Sequence, residues 1–309
     1  MKKQNIKLGL LVCIFCLFQN MNIAQSLPTI QDHPEVTLER TEIKILHSDI
    51  VGHDYELFIS LPYSYARSDT NYPVIFLLDP YRAFSMVKGF SDAMAAPFPI
   101  LPEVILIGIG YGGEGINARL NYALGRVRDY SPVQDTATEE WYEKAIEKAG
   151  ISNIDVISGG APLFLKFIRE ELFPFIESNY RIDTNIRMLS GYSFGGLFGL
   201  YALFHDPALF NKYFLGSPSI GFKDGISLKY ESDYANNHKD LKAEVFMSVG
   251  GKEELYAKNL NKMIQQLNSR NYDNLKLERV IFEDESHFSC YPAAISRGLI
   301  ELFNNENGE

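Results

Sequence analysis

A serine between glycines is the first place in this sequence where residue type and spacing favour covalent chemistry. Residues 190–196 read Ser-Gly-Tyr-Ser-Phe-Gly-Gly, which contains the pattern Gly-x-Ser-x-Gly centred on Ser193. The apolar run 186–189 precedes this stretch, and the apolar segment 197–204 follows it. A strand, a tight turn and a helix in that order form a nucleophile elbow, which presents the serine hydroxyl at the carboxyl edge of a sheet.

The glycines of this motif allow the chain to turn sharply around the serine. Gly191 and Gly195 lie two residues to either side of Ser193, and we expect them to clear the space that side chains would fill. The same short pattern also occurs by chance in strand-to-helix turns without any catalytic role. The assignment of Ser193 as a nucleophile therefore depends on a base and an acid elsewhere in the chain.

A base and an acid are available after the serine, in the chain order acid and then histidine that this type of site uses. His287 follows the last predicted strand, so we expect it at the same sheet edge as Ser193. The acid should follow the strand predicted at residues 245–249, where Glu253 and Glu254 both occur. We favour Glu253, because Glu254 is placed to begin the next helix, where the helix dipole favours a negative charge.

Two backbone N–H groups are also required, because a developing oxyanion must be stabilised by donors aimed at it. Phe194, which follows the nucleophile, is expected to supply one donor. The other should come from the loop after the first buried strand. Pro80 in that loop has no N–H, so Tyr81 is the predicted donor and Arg82 is the alternative.

The elements that must position these residues alternate between strands and helices. Continuous apolar runs predict strands buried on both faces at residues 72–78, 104–109, 186–189, 213–215 and 245–249. Alternating patterns predict an antiparallel edge pair at 41–45 and 55–61, and a last strand at 275–282. Helices are expected over 82–95, 162–178, 255–267 and 289–303, with a kink or an early end at Pro174. The predicted fold class is α/β, with a mostly parallel central sheet and helices on both faces.

One segment, residues 111–160, is long for a connection and is predicted to be a lid-like insertion over the functional edge of the sheet. It contains a basic cluster, Arg119, Arg126 and Arg128, that could bind an anionic or catecholate-bearing substrate. The alternative is that these arginines pair with nearby carboxylates. The segment also contains four aromatic residues that either line a wall or pack the insertion down: Tyr111, Tyr122, Tyr130 and Trp141. We select Arg128, Tyr130 and Tyr192 as the candidate substrate-binding residues.

The first residues have the composition of a secretory signal peptide. Three lysines within the first seven residues precede an apolar run over 8–18, and Ala24-Gln25-Ser26 resembles a cleavage site. The apolar run is shorter than the roughly 20 residues that cross a bilayer, although an uncleaved anchor is the alternative. We predict a signal peptide at 1–26, a catalytic domain at 27–309, and export to the periplasm or the medium without a stable membrane span.

Charge and cysteine content exclude several classes of function. The formal net charge of −10 becomes −13 when residues 1–26, with three lysines and no acidic residue, are removed. This acidity argues against nucleic acid as a partner. Cys290 is the one cysteine after residue 26, so no intramolecular disulfide and no cysteine metal site is expected. The glycine-rich stretch 110–113 lacks the lysine of a nucleotide-binding loop, and we expect neither a cofactor nor a metal.

Several short motifs occur in a characteristic order: Leu77-Leu78-Asp79, Arg128-Asp129-Tyr130-Ser131-Pro132, Gly191-Tyr192-Ser193-Phe194-Gly195-Gly196, Ser217-Pro218-Ser219 and Gly250-x-x-Glu253. This set, spread over residues 39–303, resembles the esterase D-like putative esterase family of α/β-hydrolases. That family includes siderophore esterases, carbohydrate-linked acetyl and feruloyl esterases, S-formylglutathione hydrolases and mycolyltransferases. The resemblance implies that Ser193 is the nucleophile, Glu253 the acid and His287 the base. Pro80 and Gly221 depart from the family pattern, which often has a glycine and an aromatic residue at these places.

The residues and the resemblance together predict an exported serine carboxylic-ester hydrolase that works through an acyl-enzyme intermediate. Its expected substrate is a small-molecule or glycan ester, such as a siderophore or a carbohydrate-linked ester. An acyltransferase of the mycolyltransferase type would use the same three residues, and a non-catalytic binding protein would keep only the fold. No oligomeric state is predicted.

Overall fold

The described part of the computed structural model comprises residues 37–95, 99–113 and 115–303. The predicted signal peptide at 1–26 lies outside these residues. Within them, no helix is both long and apolar enough to cross a membrane.

A single eight-stranded sheet organises the described residues. Its strands are β1 (Thr41–Ser48), β2 (His53–Ser60), β3 (Tyr72–Leu78), β4 (Ile105–Gly110), β5 (Ile182–Tyr192), β6 (Lys212–Gly216), β7 (Ala243–Gly250) and β8 (Leu275–Phe282). They are ordered β1-β2-β4-β3-β5-β6-β7-β8. β2 pairs antiparallel with β1 and β4, and all other neighbours are parallel. This is the mostly parallel sheet of an α/β-hydrolase fold, as predicted.

Helices connect the parallel strands. They are α1 (Pro80–Ala95), α2 (Gly115–Tyr130), α3 (Thr136–Lys148), α4 (Ala161–Phe167), α5 (Phe173–Asn179), α6 (Phe194–His205), α7 (Ile226–Asn237), α8 (Glu254–Arg270) and α9 (Cys290–Phe303). A π-helical turn, Ile168–Leu172, joins α4 to α5 directly before Pro174. It lies where the kink was expected, because a proline cannot donate the regular helical hydrogen bond.

Helix α7 was not predicted. Its sequence is polar over most of its length, and its buried positions include the polar residues Ser227 and Glu231 beside Tyr234. Glu231 is buried because Arg270 of α8 pairs with it at 2.9 Å. The paired Glu231 occupies a buried position where an amphipathic helix usually has an apolar residue. The sequence of α7 therefore lacks the apolar periodicity by which a helix is predicted.

The core has two layers because strand side chains alternate between the faces of the sheet. All seven residues of β3 are buried. Val74, Phe76 and Leu78 join one apolar cluster, and Ile75 and Leu77 join the other. The first cluster includes side chains of α4, α6 and α8, and the second includes those of α1 and α9. Helices therefore cover both faces, which leaves the carboxyl ends of the parallel strands open for a site.

Candidate active site

Ser193 occupies a sharp turn between β5 and α6. Its backbone lies at φ 60° and ψ −114°, an unfavourable conformation for a residue with a side chain. The turn is held by the N–H of Ser193, which donates to the carbonyl of Gly216 at 2.8 Å. Ser193 itself is partly exposed. This is the geometry of a nucleophile elbow, in which local strain accompanies a presented hydroxyl.

The glycines around Ser193 differ in how much space they free. A Cβ at Gly191 would lie 2.3 Å from the carbonyl oxygen of Gly195, and a Cβ at Gly196 would lie 2.9 Å from Cα and Cβ of Pro218. A Cβ at Gly195 would meet nothing closer than 3.5 Å. The expected close approach therefore exists at Gly191, but Gly196, not Gly195, is the second crowded position.

His287 and Glu253 meet at the same edge of the sheet. His287 lies on the loop between β8 and α9, and Glu253 lies between β7 and α8. Nδ1 of His287 is 2.5 Å from Oε2 of Glu253. The side chain of Glu253 is buried, whereas the neighbouring Glu254 is exposed at the start of α8. Of the two glutamates that the sequence left open, only Glu253 is in contact with the histidine.

The carboxylate of Glu253 receives further donors on its other oxygen. The hydroxyl of Ser217 donates to Oε1 at 2.8 Å, and the N–H of Gly250 donates to the same atom at 2.8 Å. Burial acts to raise the pKa of Glu253, but the hydrogen bonds from His287, Ser217 and Gly250 outweigh it and lower the pKa below its ordinary value. The carboxylate is thus held in its charged form beside the imidazole.

Tyr192, a predicted substrate-binding residue, contributes a wall of the cavity and also supports the histidine loop. Its hydroxyl donates to the backbone carbonyl of His287 at 2.6 Å and contacts Oγ of Ser217 at 2.9 Å. Its ring stacks on Tyr291, with the centroids 4.2 Å apart. Ser217 was quoted in the sequence motifs without a role, so its contacts with the acid and with Tyr192 are new.

The two predicted oxyanion donors both stand at helix N-termini. Phe194 is the first residue of α6, and Tyr81 is the second residue of α1. The first turn of a helix leaves its N–H groups without intrahelical acceptors, so such groups can face a negative charge. The N–H of Arg82, the alternative donor, is already directed to the carbonyl of Asp79 at 3.1 Å.

A cavity of about 1000 Å³ opens beside these residues. Its walls come from the elbow, the start of α1, the histidine loop and the insertion helices α2 and α3. The lining residues are Asp79, Tyr81, Arg82, Arg119, Tyr122, Ala123, Arg126, Ala137, Thr138, Trp141, Tyr142, Tyr192, Ser193, Phe194, Tyr256, His287, Phe288 and Tyr291. The insertion therefore forms one side of a cavity that contains Ser193 and His287.

Two of the predicted substrate-binding residues, Arg128 and Tyr130, are not among the cavity walls. Arg128 pairs with the buried Asp129 at 2.6 Å. Tyr130 is fully buried, and its hydroxyl accepts the N–H of Asp79 at 3.2 Å. Both prefer the interior because the last turn of α2 packs down onto the core, so these assignments are corrected: the two residues support the cavity from behind.

The basic cluster of the insertion divides into paired and unpaired members. Arg126 pairs with Asp79 at 2.8 Å and donates to the carbonyl of Tyr192 at 3.2 Å. Arg119 of this cluster and Arg82 of α1 are exposed cavity residues, and neither forms an ion pair within the described part of the chain. Arg82 lies 5.8 Å from the ring centre of Tyr122. Two guanidinium groups thus remain available to a ligand.

The aromatic residues of the insertion divide in the same way. Tyr122 and Trp141 line the cavity, whereas Tyr111 and Tyr130 are buried in the core. Trp141 is 65% exposed, and Phe288 of the histidine loop, which the sequence did not single out, lines the same cavity and is 74% exposed. Large exposed rings at a cavity mouth are typical of contact with a ligand.

Metal-binding geometry is absent from the residues described: no group of three or more His, Cys, Asp or Glu side chains is placed to hold an ion. The site contains a strained serine, a histidine bonded to a buried carboxylate, and helix N-termini. These are the parts required for nucleophilic acyl transfer.

The chain is similar to known esterases. A family model described as "Putative esterase" matches residues 48–289. The chain is 29% identical over 272 residues to the ferri-bacillibactin esterase BesA of Bacillus subtilis, covering 85% of this chain and 89% of that protein. It is 23% identical to the siderophore triacetylfusarinine C esterase of Aspergillus fumigatus, covering 87% of this chain and 95% of the other.

Solved structures are similar as well. The crystal structure of the BES protein from Bacillus cereus has a TM-score of 0.74 and 30% identity, and the match covers 89% of this chain and 98% of that one. An IroE-like serine hydrolase from Shewanella oneidensis has a TM-score of 0.70 and 26% identity, with 86% and 80% covered.

Proposed function

This chain belongs to the putative esterase family and is a carboxylic-ester hydrolase, and we propose that it acts through Ser193, His287 and Glu253. Ser193 is the nucleophile, His287 the general base, and Glu253 the acid that orients the imidazole and stabilises its charged form. The N–H groups of Phe194 and Tyr81 donate to the oxyanion of the tetrahedral intermediate.

The reaction proceeds through an acyl-enzyme. Oγ of Ser193 attacks the ester carbonyl carbon while its proton passes to Nε2 of His287. The carbon–oxygen bond to the alcohol then breaks, and Nε2 gives the proton to the departing oxygen. Water attacks the acyl carbon and passes a proton to Nε2. The bond to Oγ breaks, Oγ takes the proton back, and the carboxylic acid leaves.

The observation that carries this proposal is the contact of 2.5 Å between Nδ1 of His287 and Oε2 of Glu253. A carboxylate accepts the hydrogen on Nδ1, so Nε2 is left as the basic nitrogen. Ser193 and His287 line the same cavity, and Ser193 stands on a strained turn. These features support the serine, and no other hydroxyl of the site, as the nucleophile.

For the substrate, we propose a siderophore ester that carries anionic aromatic groups of the catecholate type. Two relatives are named as siderophore esterases, one for triacetylfusarinine C and one for enterobactin. Independent support comes from the cavity itself, where Arg82 and Arg119 have no carboxylate partner among the residues described. The exposed rings of Trp141 and Phe288 would stack on the aryl groups of such a substrate, and the two guanidinium groups would pair with its negative charges.

Hydrolysis of p-nitrophenyl acetate and butyrate tests the catalytic assignment. Wild type should release p-nitrophenol, and Ser193→Ala and His287→Ala should each reduce kcat by roughly 10⁴–10⁶. If either variant turns over at the wild-type rate, the assignment of that residue is wrong. Adding an alcohol or sugar acceptor and analysing the products separates hydrolysis from acyl transfer.

A substrate panel tests the chemical class. We expect a tris-catecholate triester to be cleaved with a higher kcat/KM than a neutral hydroxamate ester or a feruloyl sugar. Arg82→Gln and Arg119→Gln should each raise KM for the triester by about tenfold and leave p-nitrophenyl acetate unaffected, because only the anionic substrate loses a charged hydrogen bond. Equal effects on both substrates would argue against charge recognition by these arginines.

A further inference from the structure

A buried hydroxyl links the acid of the site to the loop that carries the histidine. Oγ of Ser217 is 2.8 Å from Oε1 of Glu253 and 2.9 Å from the hydroxyl of Tyr192. The hydroxyl of Tyr192 is in turn 2.6 Å from the backbone carbonyl of His287. Three segments that are distant in sequence, after β6, β7 and β8, thus meet through the Ser217 and Tyr192 hydroxyls.

We propose that Ser217 is a positioning residue for the ester hydrolysis, which holds Glu253 and, through Tyr192, His287 in the arrangement needed for proton transfer. This inference rests on the proposed function, since it assigns Ser217 a role in the same site. Ser217 does not line the cavity, so it acts through the other residues and not on the substrate.

The two oxygens of the Glu253 carboxylate have different hydrogen-bond partners. Oε1 accepts from Ser217 and from the N–H of Gly250, and Oε2 faces Nδ1 of His287. The last torsion of a glutamate has a broad energy minimum, so hydrogen bonds to one oxygen decide where the other oxygen points. Without Ser217 a single donor remains on Oε1, and the direction of Oε2 is less well fixed.

The positions of the hydroxyl hydrogens in this series of hydrogen bonds are consistent with a positioning role for Ser217. Ser217 has one hydroxyl hydrogen, and the charged oxygen of Glu253 is the stronger acceptor, so it takes that hydrogen. Oγ of Ser217 can then only accept, so the one phenolic hydrogen of Tyr192 is shared between this atom, at 2.9 Å, and the carbonyl of His287, at 2.6 Å. The ionised acid therefore fixes the direction of the Ser217 hydroxyl and leaves Tyr192 as the donor toward both Ser217 and the histidine loop.

The backbone at Ser217 indicates that the surroundings enforce its position. Ser217 is fully buried and has φ 37°, a left-handed value that favours glycine. Its N–H donates to the carbonyl of Ser248 at 2.8 Å, which holds the turn at the end of β6. Serine at such a position costs conformational energy, and strain of this kind is concentrated at functional sites.

The same motif provides a matched control. Ser219, two residues further along, is also buried, at 7% exposed, and its hydroxyl has no hydrogen-bond partner among the described residues. Ser219→Ala therefore removes the same atom from the same loop without breaking a hydrogen bond. Ser217→Gly complements Ser217→Ala, because glycine removes the hydroxyl while relieving the backbone strain.

The experiment measures kcat and KM for p-nitrophenyl butyrate, together with the rate at which diisopropyl fluorophosphate inactivates Ser193. We expect Ser217→Ala and Ser217→Gly to lower kcat and the inactivation rate by about 10- to 100-fold, as for loss of a hydrogen bond to a charged group, with KM changed less than about twofold. Ser219→Ala should match wild type. Tyr192→Phe should lower kcat by about fivefold, since it removes a neutral hydrogen bond.

Several results would overturn the inference. A wild-type kcat in Ser217→Gly would show that the hydroxyl does not position the acid, and equal losses in Ser217→Ala and Ser219→Ala would show a general packing effect. If the Ser217 variants do not fold, a wild-type kcat in Tyr192→Phe would still remove the link to His287. Full activity of Ser193→Ala, by contrast, would contradict the proposed function itself and not this inference alone.

Discussion

The two sides of the cavity are built in different ways. Ser193, Glu253 and His287 follow parallel strands of the central sheet, and β6, which lies between two of those strands, is buried at all five positions. The facing side consists of the insertion helices α2 and α3, whose own apolar cluster contains three fully or nearly fully buried residues, Val127, Ile146 and Val156. The sheet therefore positions the proposed catalytic residues, while the insertion shapes the rest of the cavity.

Within the described residues, two ion pairs nevertheless attach the insertion to the sheet side. Arg126 of α2 pairs with Asp79 and bonds the carbonyl of Tyr192. Lys223, on the loop after β6, pairs with Asp135 at 2.9 Å, and Asp135 also caps the N-terminus of α3. The first contact is largely buried and the second is half exposed at its lysine, so we expect the second to be the weaker attachment.

Among the variants that compare the two sides, the largest effect should come from exchanging the proposed acid on the sheet side. Glu253→Gln keeps the shape of the side chain but removes the charge that stabilises the imidazolium, so kcat should fall by roughly 10³–10⁴. Glu254→Gln, at an exposed helix start, should change kcat by less than about twofold. Steady-state kinetics on p-nitrophenyl butyrate compare the two, and an equal fall in both variants would contradict the assignment of Glu253.

A second prediction concerns the rigidity of the sheet side. In Gly191→Ala the new Cβ would lie 2.3 Å from a backbone oxygen that has little freedom to move. We expect the free energy of unfolding to fall by about 3 kcal/mol or more, measured by urea denaturation.

Gly89→Ala is the matched control, because a Cβ there meets nothing within 4 Å on helix α1. It should leave the protein as stable as wild type or stabilise it by up to about 1 kcal/mol. If Gly191→Ala were as stable as wild type, the turn around Ser193 would be able to move enough to accept the new Cβ, and this part of the sheet side would not be rigid.

The smallest effect should come from the exposed attachment of the insertion. Lys223→Ala should cost about 1 kcal/mol or less in thermal unfolding and raise KM for a bulky ester by about threefold or less, with kcat unchanged. Asp135→Ala should cost about 1 kcal/mol more, because it also removes the cap that accepts the N–H of Thr138 at 3.2 Å. A tenfold fall in kcat on a small ester in Lys223→Ala would show that the insertion takes part in the chemistry.

The same division explains what the sequence could predict. Buried parallel strands are continuous apolar runs, and the order of serine, acid and histidine follows from the order of those strands. The sequence favoured Glu253 over Glu254 only through the expected start of the next helix, since adjacent residues after a strand otherwise differ only in which one turns inward. The role of Ser217 could not be predicted either, because a buried hydrogen bond between segments distant in sequence leaves no local sequence pattern.

The insertion was less predictable for a related reason. Arg128 and Tyr130 have the residue types of a ligand site, but their direction depends on how the last turn of α2 meets the core. Tyr130 is fully buried there, and its hydroxyl is within 3.2 Å of the N–H of Asp79. A polar, aromatic segment contains too few apolar residues for its periodicity to show which face turns inward.

The contacts of Arg126 have a consequence for the order in which the protein assembles. This residue bonds Asp79, 47 residues earlier, and Tyr192, 66 residues later, so one guanidinium joins the start of α1, the insertion and the elbow. Contacts across such long separations form late in folding, after local helices and neighbouring strands. Refolding molecules should therefore regain secondary structure before they regain ester hydrolysis. The return of ester hydrolysis would show that the contacts of Arg126 between the insertion and the sheet side have formed, and not only that the sheet has formed.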